Sequence, residues 1–294
     1  VEKADFEKGY REYLDKLVAS LQQTEADAEI KPSQIEKAYE KNKDDPKAAA
    51  EYARLMLLIK ERDKARKIAS EVLKKEPTQP VAALVLGALL LRDDKIDDAA
   101  SVLQTALHED HPNRHLLELL LRVRLKQKQA DEAFKLCDLG QKHFPYNTDW
   151  WKGRANAAKI TGDVAKRREA LEKLVFLEGD DPAPRKGLAE MALADRNFSD
   201  AYKYAKLTLH IDVLDADVHR LLGESLRGLK RLPESIAELE TALELKPNDP
   251  DLKASLAESL AQSDRSAEAR KLIESVLKEK PDHDQAKDLL KRLK

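Results

Sequence analysis

A period of 34 residues constrains this chain more than any other feature of its sequence. Cut at Pro46, Pro80, Arg114, Thr148, Pro182, Ala216 and Pro250, it falls into seven segments of equal length, with no insertion, over residues 46–283. A period of about 20 to 50 residues belongs to stacked supersecondary units, each too small to bury its own apolar face alone. Small residues recur in register: the eighth position reads Ala53, Gly87, Leu121, Ala155, Ala189, Gly223 and Ala257, and the twentieth reads Ala65, Ala99, Ala133, Arg167, Ala201, Ser235 and Ala269. Two antiparallel helices joined by a short turn approach closely only where neither side chain forces them apart, which accounts for both columns. Larger apolar residues fill the remaining space at position seven (Tyr52, Leu86, Leu120, Leu188, Leu222, Leu256) and at position 28 (Leu73, Leu107, Val175, Leu209, Leu243, Leu277). Pro77, Pro145, Pro247 and Pro281 close their segments, because proline lacks the helical donor and restricts the residue before it. The unit is therefore helix, turn, helix, stop.

Composition agrees with an all-α chain. Nine glycines and 5% aromatic residues are too few for a sandwich or barrel with many tight turns, and 42% hydrophobic residues suffice for a core beneath a charged helical surface. Lysine and arginine (53) nearly balance aspartate and glutamate (55), a net charge of −2, so no nucleic-acid partner is expected. The longest apolar run, Val81 to Leu91, has 11 residues. A membrane-spanning helix needs roughly 18, and no membrane insertion is expected. A single cysteine, Cys137, excludes an intramolecular disulfide and any multi-cysteine metal site. The sequence opens at Val1 on a charged stretch, which reads as an engineered fragment or a processed product from which a targeting peptide could have been removed; the compartment, cytoplasmic or exported, stays open.

With these columns in place the chain resembles the tetratricopeptide repeat (TPR) family, whose pattern is a bulky residue at position four, Leu-Gly at seven and eight, and Ala at 20 and 27. Segment six matches it most fully, with Leu222-Gly223, Ala242 and Pro247. The resemblance implies a right-handed α-solenoid superhelix of antiparallel helix pairs. It has seven TPR-like repeats over 46–283, an N-terminal helical cap over 1–45 and a C-terminal capping helix over 284–294. Segment four departs from the pattern, with Arg154 at seven, Arg167 at 20 and Trp151 at the bulky position, so altered packing is expected there. Segment five has Val213 in place of the closing proline, and its second helix is expected to run on towards Asp215. At the ends, Phe6, Tyr10, Tyr13, Leu14, Leu17, Val18 and Leu21 fall on one stripe of a helix over about 4–22. A second helix is expected from Gln34 to Asn42, and Ala286, Leu289, Leu290 and Leu293 mark a terminal amphipathic helix that closes segment seven.

No Gly-rich phosphate loop, His-Glu-x-x-His, Cys-x-x-Cys or nucleophile elbow occurs, so neither catalysis nor a cofactor is expected. His108, His111 and His115, with Glu109 and Asp110, have the ligand types of a zinc or copper site. Pro112 interrupts them and they do not share one helix face, so they read as solvated loop residues and no metal is expected. Cys137 stands at position 24, where neighbouring segments have Leu103 and Leu171, and reads as a buried packing thiol. Trp151 is placed in the core, whereas Trp150 is either partly buried between repeats or a partner anchor. The run Lys166, Arg167, Arg168 is followed by Glu169 and Glu172 and reads as a solvated helix.

The resemblance also implies where a ligand would lie, since in this family the first helices line a concave face and positions two, five, six, nine, 12 and 13 point inward. Segments one and two would then present Ala50, Arg54, Leu57, Leu58, Leu84, Ala88 and Leu91, a mostly apolar stretch. Segments three to six would present the candidate ligand-binding residues Arg122, Lys126, Lys152, Asn156, Lys159, Lys186, Arg220 and Arg227. Lys152, Lys186 and Arg220 share position five. They form either a cationic ladder or a mixed solvated face in which Lys186 pairs with Glu190 and Arg220 with Glu224. Lys152 and Asn156 resemble the family's clamp for a peptide's terminal carboxylates, but Gly187, Asp217 and Leu221 stand where Asn, Lys and Arg are needed. The function implied is a noncatalytic interaction scaffold, monomeric rather than oligomeric, holding an acidic peptide or protein partner in its groove. The alternative is the repeat portion of a larger bacterial enzyme such as a peptidase, whose lead-in segment the stretch Phe6-x-x-Gly-Tyr-x-x-Tyr-Leu resembles.

Overall fold

The structure is a computed structural model that describes residues 31–293; the helix expected over 4–22 lies outside the described residues. Those residues form sixteen α-helices and no strand. The chain divides into two compact units, Val1–Arg167 and Arg168–Lys294. The first holds α1 (Pro32–Lys41), α2 (Pro46–Leu58), α3 (Arg62–Lys75), α4 (Pro80–Arg92), α5 (Ile96–Thr105), α6 (Arg114–Lys126), α7 (Ala130–His143) and α8 (Asp149–Thr161). Helix α9 (Val164–Leu177) leads into the second, which holds α10 (Pro182–Ala194), α11 (Phe198–Leu209), α12 (Ala216–Gly228), α13 (Leu232–Leu245), α14 (Pro250–Gln262), α15 (Ser266–Glu279) and α16 (Asp284–Arg292). Among the described residues no helix is long and apolar enough to cross a membrane.

The start of each even-numbered helix is set by one repeating acceptor. Asp45, Gln79, Asn113, Asn147, Asp181, Asp215, Asp249 and His283 follow one another every 34 residues. Each accepts a hydrogen bond from a backbone N–H of the first turn, at 2.6 to 3.3 Å. Such caps satisfy donors that have no partner inside the helix. Pro46, Pro80, Pro182 and Pro250 follow directly, at the position where the missing N–H costs nothing.

The turn inside each pair is closed by a second column. Lys60, Asp94, Lys128, Gly162, Arg196, Lys230 and Asp264, again 34 apart, have φ between 55° and 72°. The next N–H reaches back to a carbonyl of the preceding helix, as from Glu61 to Met56 at 2.8 Å and from Arg265 to Leu260 at 3.0 Å. This left-handed closure favours glycine, yet only Gly162 is one.

Within each unit consecutive helices pack on one another, and the even-numbered helices also pack in a row: α2, α4, α6, α8 in the first and α10, α12, α14, α16 in the second. Position eight is small because it faces position 24 of its own segment. A Cβ on Gly87 would stand 2.8 Å from Leu103, and one on Gly223 would stand 2.6 Å from Leu239. Position three is a further core column, with Ala82, Leu116, Trp150, Val218 and Leu252 almost wholly buried. Trp150 is thus the core tryptophan, 0% exposed, and Trp151 is only half-buried, which reverses the expectation. The reason is Gly140 on the preceding helix, where any Cβ would collide with the Trp150 ring; the indole N–H also donates to the Phe144 carbonyl at 3.1 Å.

Arg154, at the otherwise apolar position seven, pairs with Asp138 and lies over the rings of Phe134 at 5.9 Å and Trp151 at 5.8 Å. Altered packing in segment four therefore takes the form of a cation held between two aromatic faces. Helix α11 does not run on to Asp215 but ends at Leu209. Asp215 is needed as the cap of α12, accepting from the N–H groups of Asp217 and Val218, and His219 of α12 meets the Val213 carbonyl at 3.0 Å. These contacts fix the 210–215 turn without a proline.

Candidate functional site

The candidate site is the outward face of the row of even-numbered helices, taken unit by unit. In the first unit α2 and α4 present Leu57, Leu84, Ala88 and Leu91 half-buried and Leu58 72% exposed, while Ala50 is fully buried and Arg54 is held by Glu51 at 2.8 Å. Helix α6 packs beside α4 and carries Arg122 and Lys126 one turn apart, both exposed. On α8, Lys152, Asn156 and Lys159 follow at intervals of four and three; Lys152 is half-buried and the other two are exposed. Lys126 reaches Asp94 at 3.2 Å in an exposed pair, whereas no ion pair closes on Arg122 or Lys159 among the described residues. An apolar strip thus adjoins a cationic one.

In the second unit Lys186 and Arg220, at position five like Lys152, are committed internally. The Lys186 ammonium lies 2.8 Å from Asp215 and 3.3 Å from Asp217, and Asp217 also takes Lys246 at 3.3 Å. The i,i+4 reading pointed Lys186 to Glu190; its partners instead lie at the start of the next even-numbered helix. Burial works against the charge of Lys186, but the two aspartates outweigh it and hold its pKa above the usual lysine range. Burial likewise acts to raise the aspartates, and Lys186 outweighs it, so both sit below the usual carboxylate range. Arg220 makes two bonds of 3.1 Å to Glu224, the i,i+4 pair expected. Desolvation opposes its charge and Glu224 more than compensates. Arg227 donates to the Ser255 carbonyl at 2.9 Å.

Lys152 belongs to the first unit, and Lys186 and Arg220 to the second. Asp217, where the carboxylate clamp needs a lysine, is a lysine acceptor, which turns that position to the opposite task. Sequence reasoning missed the carboxylates that neutralise the second row, and it also missed Glu258 and Arg292, which pair through two bonds of 2.9 and 2.6 Å. Their separation of 34 residues was the available signal.

The remaining candidates are the three histidines and Cys137. His108 and His111 lie exposed in the loop before α6, and His115 is on α6 itself, 3.4 Å from Glu118. Among the described residues no group of three or more His, Cys, Asp or Glu side chains is placed to hold a metal ion. Cys137 is fully buried, and burial pushes its thiol up to about 12, so the nucleophilic thiolate is suppressed.

Comparison with known proteins places this geometry. Two family models described as tetratricopeptide repeat match the chain, one over residues 226–293 and the other over 84–148 and 186–250. No curated protein matches the chain in sequence. Among solved structures, the C-terminal part of a TPR repeat-containing protein from Cytophaga hutchinsonii aligns with a TM-score of 0.66 at 13% identity, over 82% of this chain and 99% of that one. A tetratricopeptide repeat protein from Parabacteroides merdae gives 0.55 at 13% identity, over 84% and 98%. A chain of the APC/C hetero-tetramer Cut9–Hcn1 gives 0.54 at 18% identity over 89% of this chain, which spans 52% of that one. At such identities the likeness is one of fold, an α-solenoid. Family matches, helix-pair packing and the 34-residue columns together identify the chain as a member of the tetratricopeptide repeat family, a fold of protein-interaction scaffolds.

Proposed function

We propose that this protein is a noncatalytic, monomeric scaffold whose repeats over 46–283, flanked by the ends 1–45 and 284–294, hold an extended segment of a partner protein against the even-numbered helices. The observation that carries the reading lies in the first unit, where the apolar strip of Leu57, Leu58, Leu84 and Leu91 adjoins the exposed cations Arg122, Lys126 and Lys159. A matching segment has leucine-like residues at one end and carboxylates at the other. Lys152 and Asn156 extend the polar part of that surface. Lys186 and Arg220 would have to exchange their own carboxylates for those of a partner, so each contributes less than Arg122 or Lys159. With the whole chain close to neutral, attraction comes from this local alignment and weakens with salt.

Photo-crosslinking in cells tests the reading. A benzophenone side chain at Arg122 should capture partner protein, and the same group at the exposed Lys135 of α7 should not. Adding Lys159→Glu should abolish the adducts at position 122. Equal capture from Lys135, or adducts indifferent to Lys159→Glu, would contradict the proposal.

A further inference from the structure

We infer that the second unit holds a carboxylate-recognition site centred on Arg227, whose ligand is an extended peptide presenting an acidic side chain beside an apolar one; this rests on the scaffold reading above. An open cleft of about 580 Å³ lies along α12, α14 and α16, and every residue lining it belongs to the second unit. Its apolar part is Leu193 with Phe198, and Phe198 packs so closely on Gly228 that a Cβ there would collide with the ring. Glu224, Arg227, Glu258 and Arg292 supply the charged part.

Both carboxylates in the cleft already have partners. Glu224 takes two bonds from Arg220 at 3.1 Å and one from the Ser255 hydroxyl at 2.7 Å, and Glu258 takes two from Arg292 at 2.9 and 2.6 Å. Arg227 receives none of this. Its guanidinium donates to the Ser255 carbonyl at 2.9 Å, and no ion pair closes on it among the described residues. Burial holds its pKa below the usual arginine range; Glu224 and Glu258 act against that shift, and Arg292 adds to it. Arg227 is half-buried, keeps its proton, and has donors beyond the Ser255 bond that are open to the cleft in a fixed fork.

A carboxylate docked on that fork forms a paired, charge-assisted contact, the direct ion pair that neither Glu224 nor Glu258 makes with Arg227. Arg196 and Lys230, exposed at the left-handed turn positions, stand at the same cleft and add attraction. Gln262 and Gln285 bring neutral donors. Glu224 and Glu258 flank the fork and repel a dianionic phosphate more than a single carboxylate, so the assignment is to an aspartate or glutamate side chain. Leu193 and Phe198 then receive the apolar neighbour.

The test uses the full chain and the Arg side-chain Nε–Hε signals in NMR. The probe is N-acetyl-Leu-Glu-Leu-amide, with N-acetyl-Leu-Gln-Leu-amide as its neutral match and inorganic phosphate as a third arm. The acidic peptide should shift the Arg227 signal and bind at least roughly tenfold more tightly than the neutral one, and Arg227→Gln should remove that difference. Because Arg227 is half-buried and bonded to the Ser255 carbonyl, the exposed Lys230→Glu serves as an independent variant and should weaken the acidic peptide roughly threefold. Equal affinity for the two peptides, an unchanged affinity in folded Arg227→Gln, or tighter binding of phosphate than of the acidic peptide would overturn the site. Crosslinking from Arg122 reports on the groove separately, so loss of one result leaves the other standing.

Discussion

In the first unit Arg122 and Lys159 stand exposed on α6 and α8 with no ion pair closed on them among the described residues. In the second, Lys186 and Arg220 sit on α10 and α12 with their charges taken up by Asp215, Asp217 and Glu224. These cations do not share a repeat position: Arg122 and Lys159 stand at nine and 12, Lys186 and Arg220 at five, and it is the position-five side chains that reach carboxylates, Asp215 and Asp217 at the start of the next even-numbered helix for Lys186 and Glu224 on the same helix for Arg220. Where Asp215 and Asp217 occur, the cation joins successive helices; the Lys186–Asp215 side chains are only 25% and 21% exposed. In the first unit Lys126, at position 13, reaches back to Asp94 in the turn of the preceding repeat, a pair 51% and 81% exposed that contributes little. Both units have an apolar core, built in the first from Leu103, Leu116, Leu117, Leu120 and Trp150 and in the second from Leu221, Leu222, Leu239 and Ile273. A charged column in a repeat protein therefore does not by itself mark a binding face; the residues one repeat on decide whether it is spent on cohesion.

The largest effect should come from the apolar side of this contrast. Trp150→Ala is expected to destabilise the first unit by about 3–5 kcal/mol, while Trp151→Ala costs about 1 kcal/mol, as read by denaturant unfolding with hydrogen exchange to localise the loss. Similar losses for both would put the core tryptophan in doubt. Next, Asp215→Ala removes a cap and a partner of Lys186 together and should cost about 1–2 kcal/mol. Asp45→Ala removes a cap alone, at about 0.5–1 kcal/mol. If the two are equal, the half-buried Lys186–Asp215 pair adds nothing.

Acid should separate the units in the same sense. Asp215 and Asp217 have folded pKa values below those of the unfolded chain, so their contribution is present above the unfolded value of about 4 and is lost as the pH falls through the folded one. Amide protection at the α10–α12 contact, corrected for the intrinsic pH dependence of exchange, should therefore fall as the pH drops below about 4. The smallest effects concern the turns: Gly162→Ala should cost about 1 kcal/mol at its left-handed φ of 72°, and Lys128→Gly should stabilise by a few tenths to about 1 kcal/mol. A destabilising Lys128→Gly would show that the side chain matters more than the backbone there.

How much of this could be read in advance follows from the physics of each feature. The small columns at positions eight and 20 were visible because close approach excludes bulk whatever the neighbours are, and they led directly to the helix pairs. The left-handed column was invisible because six of its seven members are not glycine. The capping column was hidden by its mixed chemistry, with Gln79 and His283 among aspartates and asparagines. Trp150 was misplaced because the family's bulky position is four, whereas the space left by Gly140 lies opposite position three. The partners of Lys186 and Arg227 depend on which way long side chains reach between helices, and a register alone does not give that direction.

The central claim is that the exposed cations of the first unit face the partner and the paired ones of the second hold the fold. Two charge-reversal pairs, Arg122→Glu with Lys159→Glu and Lys186→Glu with Arg220→Glu, test it most directly. Each is measured for melting temperature and for affinity to a peptide with leucines at one end and glutamates at the other. The account predicts that the first pair leaves the melting temperature nearly unchanged and weakens the peptide by roughly tenfold, as expected for loss of exposed attractive charge. The second pair should lower the melting temperature by several degrees and change the affinity far less. The reverse pattern, with a stable second pair that loses the peptide and a first pair that unfolds, would contradict it.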